Sequence, residues 1–158
     1  IKIAQKESLM WGTHQQEAIS YGNVVHEILA FVKDKADVEL AVTKAIENGL
    51  ITFDQTEKVL KTLYEIVSHP ELSVCFDGKN NVLTEQTIVQ KEGRILKPDR
   101  IVLTENKEAY LLDYKTGAIN SKYTQQIQEY QDAIEDLGYK VLKRALVYIG
   151  TEIDVVNL

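Results

Sequence analysis

The feature that most constrains the fold is a change in hydrophobic periodicity at the turn-forming run 77–81, which reads Asp-Gly-Lys-Asn-Asn. Before this run, over about 14–69, apolar residues recur at the spacing of a helix face. After it, from about 82 to 158, β-branched and alternating segments predict strands. Such a chain has to pack a helical first part against a sheet that its second part forms.

The pattern also predicts the order of elements, which is three helices followed by β-β-β-α-β. The predicted helices of the first part cover about 18–32, 38–46 and 53–67; the predicted strands cover 82–89, 94–103, 108–114 and 141–149, with a helix over about 121–137 and one more strand at 152–158. We therefore expect a single α/β domain over 1–158, with a central mixed sheet, a helix on its C-terminal side and an all-helical N-terminal portion.

Composition excludes several classes of protein. With 18 basic and 24 acidic residues the net charge is −6, which argues against a broad basic surface for gripping duplex DNA. The single cysteine, Cys75, excludes an internal disulfide and a four-thiolate iron–sulfur cluster. No apolar run approaches the ~20 residues of a membrane span. A reducing, cytoplasmic location fits these features, and the start at Ile1 predicts a piece cut from a longer polypeptide.

The predicted hairpin over 94–114 brings two carboxylates together. If its centre is Asn106, then Asp99 lies seven residues before the centre and Asp113 lies seven residues after it. Equal offsets place the two side chains directly opposite each other on one face. Two carboxylates at that distance repel each other unless a cation lies between them, and Mg²⁺ is the usual cation for a site built from carboxylate oxygens.

Lys115 follows Asp113 by two residues, so on a strand it returns to the same face. Its ammonium could stabilise negative charge that develops on a phosphate, or orient the attacking water. Asp99, Asp113 and Lys115 therefore suit metal-assisted phosphodiester hydrolysis. The alternative is a surface hairpin with ordinary salt bridges, since Asp-x-Lys on its own is common.

The motifs around these residues resemble those of the PD-(D/E)xK nuclease superfamily, and in particular the RecB/AddA-type nuclease domain at the C-terminus of bacterial helicase–nucleases. The matching strings are Gly22-x-x-x-His26, Gly93-Arg94-Ile95-Leu96-Lys97-Pro98-Asp99-Arg100-Ile101, Leu112-Asp113-Tyr114-Lys115-Thr116-Gly117 and Tyr123-x-x-Gln126-x-x-x-Tyr130. They occur in the family's order and span about residues 20–150. The resemblance implies a restriction-endonuclease-like mixed sheet flanked by helices.

The resemblance also implies a role for each matching position. His26, Asp99 and Asp113 would be metal ligands, with the backbone carbonyl of Tyr114 as an extra ligand, and Lys115 would be the catalytic lysine. Gln126 and Tyr130, with Tyr123 on the same helix face, would orient the DNA phosphate or a water, and Glu85 stands where many relatives carry a supporting glutamate. Two of these features also have a purely structural interpretation. His26 could be a helix histidine whose hydrogen bonds are satisfied within the fold, and the aromatic residues Tyr123 and Tyr130 could belong to the core.

The expected function is a DNA nuclease domain, an exonuclease that uses Mg²⁺ and also accepts Mn²⁺, without an iron–sulfur cluster and without an ATP site in this chain. We expect it to act on single-stranded DNA that a helicase portion of the parent chain supplies during double-strand-break repair, with a second helicase–nuclease subunit as a further partner. A local excess of basic residues could contact phosphates: Lys91, Arg94, Lys97, Arg100, Lys115 and Lys122. The alternatives are a non-catalytic DNA-binding or regulatory module, and a stand-alone phage- or restriction-type nuclease.

Overall fold

The computed structural model describes the backbone of residues 14–158 and the side chains from residue 17 onward. The predicted domain start at residues 1–13 therefore lies outside the described part. Three helices form the first part, and each is close to its predicted bounds: α1 (His14–Leu29), α2 (Val38–Glu47) and α3 (Thr56–Val67). Within the described residues, no helix has the length and apolar character needed to cross a membrane.

The second part forms a five-stranded sheet and a separate two-stranded hairpin. The elements are β1 (Asn81–Thr84), β2 (Ile88–Val89), β3 (Ile95–Leu96), β4 (Arg100–Leu103), β5 (Glu108–Lys115), α4 (Lys122–Asp136), β6 (Lys140–Ile149) and β7 (Ile153–Asn157). The sheet order is β1-β4-β5-β6-β7, in which β5 and β6 are parallel and every other neighbouring pair is antiparallel. The protein is thus α/β with a mixed, mostly antiparallel central sheet, and α4 makes the crossover between the two parallel strands.

Alternation along the strands divides the core into two layers. On one face of the sheet, side chains such as Leu112 and Val147 pack against α1, α2 and α3. On the other face, side chains such as Leu111 and Leu146 pack against α4. Successive residues of a strand point to opposite faces. Residues that neighbour each other on β5 therefore serve different layers, and a site at the end of β5 is within reach of helices from both sides.

The two predicted long strands 82–89 and 94–103 are wrong as continuous elements, because each is broken in the middle. Glu85 has a positive φ of 50°, where the chain leaves the sheet after β1. The chain returns at Asp99, and the Glu85 N–H donates to the Asp99 carbonyl at 3.0 Å. Residues 86–98 between them contain β2 and β3 and project as the β2–β3 hairpin. Pro98 has no N–H to donate to a strand ladder, which fits the break before β4.

Arg100 was expected among the phosphate-contacting residues, and this is wrong, because its side chain is fully buried. Its guanidinium donates to the carbonyls of Val32 at 2.6 Å, Lys33 at 2.7 Å and Cys75 at 3.1 Å. It also stacks over the Phe76 ring, 3.8 Å from the centroid. Arg100 therefore joins the end of the helical part to the start of β4, directly beside Asp99.

Replacing Arg100 with alanine is expected to destabilise the protein strongly, because it leaves buried carbonyls without donors and opens a cavity. We expect a loss of about 3 kcal/mol or more, which corresponds to a Tm lower by about 6–12 °C for a domain of this size. Arg94→Ala is the matched control, because Arg94 is half-exposed and its ion pair with Glu129 is a surface pair. Thermal denaturation of both variants checks the expectation, and equal Tm values would contradict it.

Candidate metal centre

The β4–β5 hairpin has the predicted register. Arg100 pairs with Leu112, and Leu103 pairs with Ala109, so the pairing is symmetric about position 106. The same register carried one residue further places Asp99 opposite Asp113. Asp99 Oδ2 accepts a hydrogen bond from the Tyr114 N–H at 2.8 Å, and the Asp99 N–H lies 3.4 Å from Asp113 Oδ1. The hairpin therefore brings the two aspartates together as the spacing predicts.

Three side chains from different elements converge beside this pair. α1 supplies His26, whose Nε2 lies 3.0 Å from Asp99 Oδ1 and 3.6 Å from Glu85 Oε1. One donor atom from each of the three residues lies within 4.8 Å of the other two. Asp113 is outside this trio and adjoins it through Asp99. The trio thus contains Glu85, which the resemblance implied only as a supporting residue, together with His26 and Asp99, which it implied as ligands.

The contact between His26 and Asp99 is an ion-pair contact whose length also matches the spacing of two ligands on one cation. The His26 Nε2 atom is buried, and among the described residues no group accepts a well-aligned hydrogen bond from it, although Asp99 Oδ1 is 3.0 Å away. Neighbouring donors around an octahedral cation with bonds of about 2.1 Å lie about 3.0 Å apart. Imidazole nitrogen and carboxylate oxygen suit Mn²⁺ and are compatible with Mg²⁺. The residues present therefore fit a divalent cation.

The surroundings shift the pKa values of the two aspartates in opposite directions. Burial acts to raise the pKa of Asp99, but the nearby His26, Asp113 and the Tyr114 N–H outweigh it and lower that pKa. The contact with Asp99 raises the pKa of His26. Burial, followed by the charge of Asp99, raises the pKa of Asp113 to about 7. Without a cation, Asp113 is therefore the carboxylate that takes up a proton when the pH falls.

The raised pKa of Asp113 predicts how stability depends on pH in the metal-free protein. The folded pKa is about 7 and the unfolded pKa is about 3.9, so the folded state binds more protons between these values. Stability from this group is then complete below about pH 4 and is lost as the pH rises through 7. In EDTA, the Tm of Asp113→Asn minus the Tm of the parent should therefore increase from pH 4 to pH 8. A difference that stays constant over this range would contradict the expectation.

Lys115 is held by three neighbours on the α4 side of the sheet. Its Nζ lies 2.5 Å from Asp113 Oδ2, donates to Gln126 Oε1 at 2.7 Å and sits 4.3 Å from the centroid of the Tyr123 ring. Gln126 therefore holds the lysine in this structure, whereas the sequence suggested contact with phosphate or water. Lys115 is mostly buried, so this arrangement fixes an ammonium directly against the carboxylate pair.

Tyr130 and Tyr114 complete the surroundings of the site. Tyr130 is buried on α4, and its pKa is raised by burial and by the nearby charges of Asp113 and Asp99, so its phenol stays protonated. The Tyr114 side chain is buried on the opposite face, with its ring edge-on to His26 at 5.3 Å between centroids. The role of the Tyr114 carbonyl as a ligand stays a prediction.

Sequence reasoning missed or undervalued two features of this site. Glu85 was given a minor role, because nothing in its local pattern indicates that the chain turns there with positive φ and aims the carboxylate at His26. Thr116 belongs to a matching string, but the sequence assigns it no role, although its methyl group faces Gly22 on α1. The Gly22-x-x-x-His26 spacing was a usable signal for the second feature, since a glycine one turn from a candidate ligand suggests a close backbone approach.

Comparison with the models of known protein families and with curated proteins gives no match to this chain. A function therefore has to be supported by the geometry of the site.

Proposed function

We propose that this chain is a divalent-metal-dependent deoxyribonuclease domain of the PD-(D/E)xK superfamily, with a restriction-endonuclease-like fold. The observation that carries the proposal is the convergence of His26, Glu85 and Asp99, with a buried Nε2 that lies 3.0 Å from Asp99 Oδ1, directly beside the ion pair of Asp113 and Lys115. These residues come from four separate stretches of the chain, and a set of salt bridges on a surface hairpin would not require this convergence.

The position of the motif within the fold supports the same proposal. Asp99 precedes β4, Asp113 and Lys115 lie at the end of β5, and α4 then leads to the parallel strand β6. Gln126 on α4 contacts the lysine. This arrangement is compatible with the restriction-endonuclease-like mixed sheet flanked by helices that the resemblance implies.

The residues divide into two groups by the chemistry that they can perform. His26, Glu85 and Asp99, with Asp113 beside them, would hold Mg²⁺ or Mn²⁺, which polarises a phosphate and acidifies water when bound. Lys115 presents a fixed ammonium that stabilises negative charge on a scissile phosphate, because its position costs no reorganisation. Gln126 and the Tyr123 ring keep that ammonium in place.

Exposed basic side chains near the site suit contact with the DNA backbone. Lys91 and Lys97 are exposed on the β2–β3 hairpin, which leaves the sheet at Glu85 and returns at Asp99. Both ends of this hairpin are therefore residues of the candidate metal centre. Arg94 on the same hairpin is paired with Glu129 of α4, which anchors it to the body. A phosphate that approaches the metal centre would thus pass close to the base of a lysine-bearing hairpin.

The double variant Lys91→Ala/Lys97→Ala is expected to weaken DNA binding and to leave kcat nearly unchanged. The slope of log Kd against log salt should fall by about one for each phosphate contact that is lost. Lys44→Ala/Lys61→Ala is the matched control, because both lysines are exposed on the helical part. Fluorescence anisotropy with labelled single-stranded DNA at several salt concentrations measures the effect. Equal slopes for the two double variants would refute this role of the hairpin.

The biological setting is part of the same proposal. The domain would act on single-stranded DNA that a helicase portion of its parent chain delivers in the cytoplasm, during processing of double-strand breaks. The direct test is incubation of the protein with labelled single-stranded DNA in Mn²⁺ and, in parallel, in EDTA. Cleavage that requires the metal supports the proposal. Binding without cleavage in Mn²⁺ would favour a non-catalytic DNA-binding or regulatory module instead.

A further inference from the structure

Helix α1 comes unusually close to the end of β5 at Gly22. A Cβ atom added there would lie far inside van der Waals contact with Thr116 Cγ2, and 3.1 Å from the carbonyl oxygen of Ile149. Gly22 is buried in the middle of α1. Of the glycines in the described residues, it is the one whose added Cβ would strike both a neighbouring side chain and the backbone of the sheet.

Helix formation does not explain this glycine. Alanine is the better helix former at an interior position, and the backbone here does not need positive φ. Glycine is required here because there is no room for a side chain. Only a hydrogen atom fits between the Cα atom of Gly22 and its two neighbours, Thr116 and Ile149. Threonine is β-branched and stiff at χ1, so its methyl group does not easily turn aside.

The place of this contact links it to the candidate metal centre. His26 lies four residues after Gly22, one turn further on the same face of α1. Thr116 directly follows Lys115 on the chain. The close approach at Gly22 therefore brings the helix that carries the imidazole near the strand that carries Asp113 and Lys115. A methyl group at position 22 would push the helix away by about 1 Å to restore normal contact.

We propose that the lack of a side chain at Gly22 lets α1 approach Thr116 and Ile149 closely enough to bring His26 to the carboxylates, which makes Gly22 a positioning residue for metal binding. This inference rests on the proposed function. The Nε2–Oδ1 spacing of 3.0 Å is what a shared cation requires, and a shift of the helix by about 1 Å lengthens it beyond that spacing. Gly22 itself offers no ligand and acts through His26.

The test is a rescue experiment with Mn²⁺ as the probe. Gly22→Ala should weaken Mn²⁺ binding by at least about 10-fold, as loss of other positioning contacts around metals does. Thr116→Ala removes Cγ2 and leaves no second branch to rotate into its place, so alone it should bind Mn²⁺ like the parent. The double variant should recover part of the lost affinity, because the overlap with Cγ2 is gone and only the 3.1 Å approach to the Ile149 carbonyl oxygen remains. The EPR signal of free Mn²⁺ measures binding in the absence of DNA, and circular dichroism checks the fold.

The outcomes separate this inference from the proposed function. A merely structural role would lower the Tm of Gly22→Ala without recovery of Mn²⁺ affinity in the double variant, and that result overturns the inference. Equal Mn²⁺ affinity of Gly22→Ala and the parent also overturns it, because Thr116 then yields without moving α1. If the parent itself does not bind Mn²⁺, both the inference and the proposed function fail. If the parent binds Mn²⁺ and cleaves DNA, while Gly22→Ala does so equally well, only the inference fails.

Discussion

Lys115→Ala is expected to reduce DNA cleavage by at least roughly 100-fold while Mn²⁺ binding and the fold are preserved. The ammonium of Lys115 lies 2.5 Å from Asp113 and 2.7 Å from Gln126 Oε1, so its charge is fixed where a phosphate would meet the carboxylates. Removal of the side chain leaves His26, Glu85 and Asp99 in place, because none of them contacts Lys115 in the structure. The effect should therefore appear in kcat rather than in metal affinity.

Lys122→Ala is the matched control for kcat at saturating DNA, because Lys122, as one of the basic residues expected to contact phosphates, should change only the affinity for DNA. Its Nζ lies 5.2 Å from the centroid of the same Tyr123 ring, and the structure gives it no carboxylate partner among the described residues. The two variants thus remove equal charges at neighbouring places, and only one of these charges adjoins the aspartate pair. Cleavage by Lys115→Ala at the parent rate, in saturating Mg²⁺, would show that the catalytic assignment is wrong.

Asp99→Asn is expected to abolish both Mn²⁺ binding and cleavage. Asp99 contacts His26 through one oxygen and the Tyr114 N–H through the other, so it is the carboxylate at the centre of the site. An amide keeps the shape but removes the charge that a cation needs. In the parent, Mn²⁺ at 100 times its Kd should stabilise the fold by about 2.7 kcal/mol, which is a Tm increase of about 5–11 °C.

Thermal shift with and without Mn²⁺ measures this expectation, and EPR of free Mn²⁺ confirms the binding. Asp136→Asn, at an exposed position at the end of α4, should keep the full shift and the full activity. Glu85→Gln should have a smaller effect than Asp99→Asn, because the Glu85 side chain is 40% exposed and 3.6 Å from His26. A parent-like Mn²⁺ shift in Asp99→Asn would exclude this site as the metal centre.

The hairpin register was predictable from the sequence because it depends on local information. Asp99 and Asp113 stand at equal distances from one turn, and a turn of fixed length determines which residues of its two strands pair. The helices of the first part were predictable for a similar reason, since their apolar spacing is continuous over several turns. Both features are encoded within a few residues of where they act.

The parts that could not be predicted depend on contacts between distant segments. The burial of Arg100 depends on carbonyls more than sixty residues earlier in the chain, at Val32 and Lys33. The local sequence around Arg100, which follows the motif residue Asp99, therefore does not distinguish a buried arginine from one that binds phosphate. The role of Glu85 depends on a single positive φ in a segment whose β-branched neighbours suggested an unbroken strand. Periodicity cannot reveal a one-residue reversal of this kind.

Because Arg100 attaches the helical part to the sheet, the sheet part is not expected to form the candidate metal centre on its own. The guanidinium binds the chain directly after α1 to the first residue of β4, and His26 on α1 reaches Asp99 across the same junction. A fragment that begins after the helices would keep both aspartates and the lysine. It would lack the imidazole of His26, and it would leave the Arg100 guanidinium without the carbonyls of Val32 and Lys33. The helical half is thus part of the candidate metal centre, because α1 supplies the imidazole that contacts Asp99.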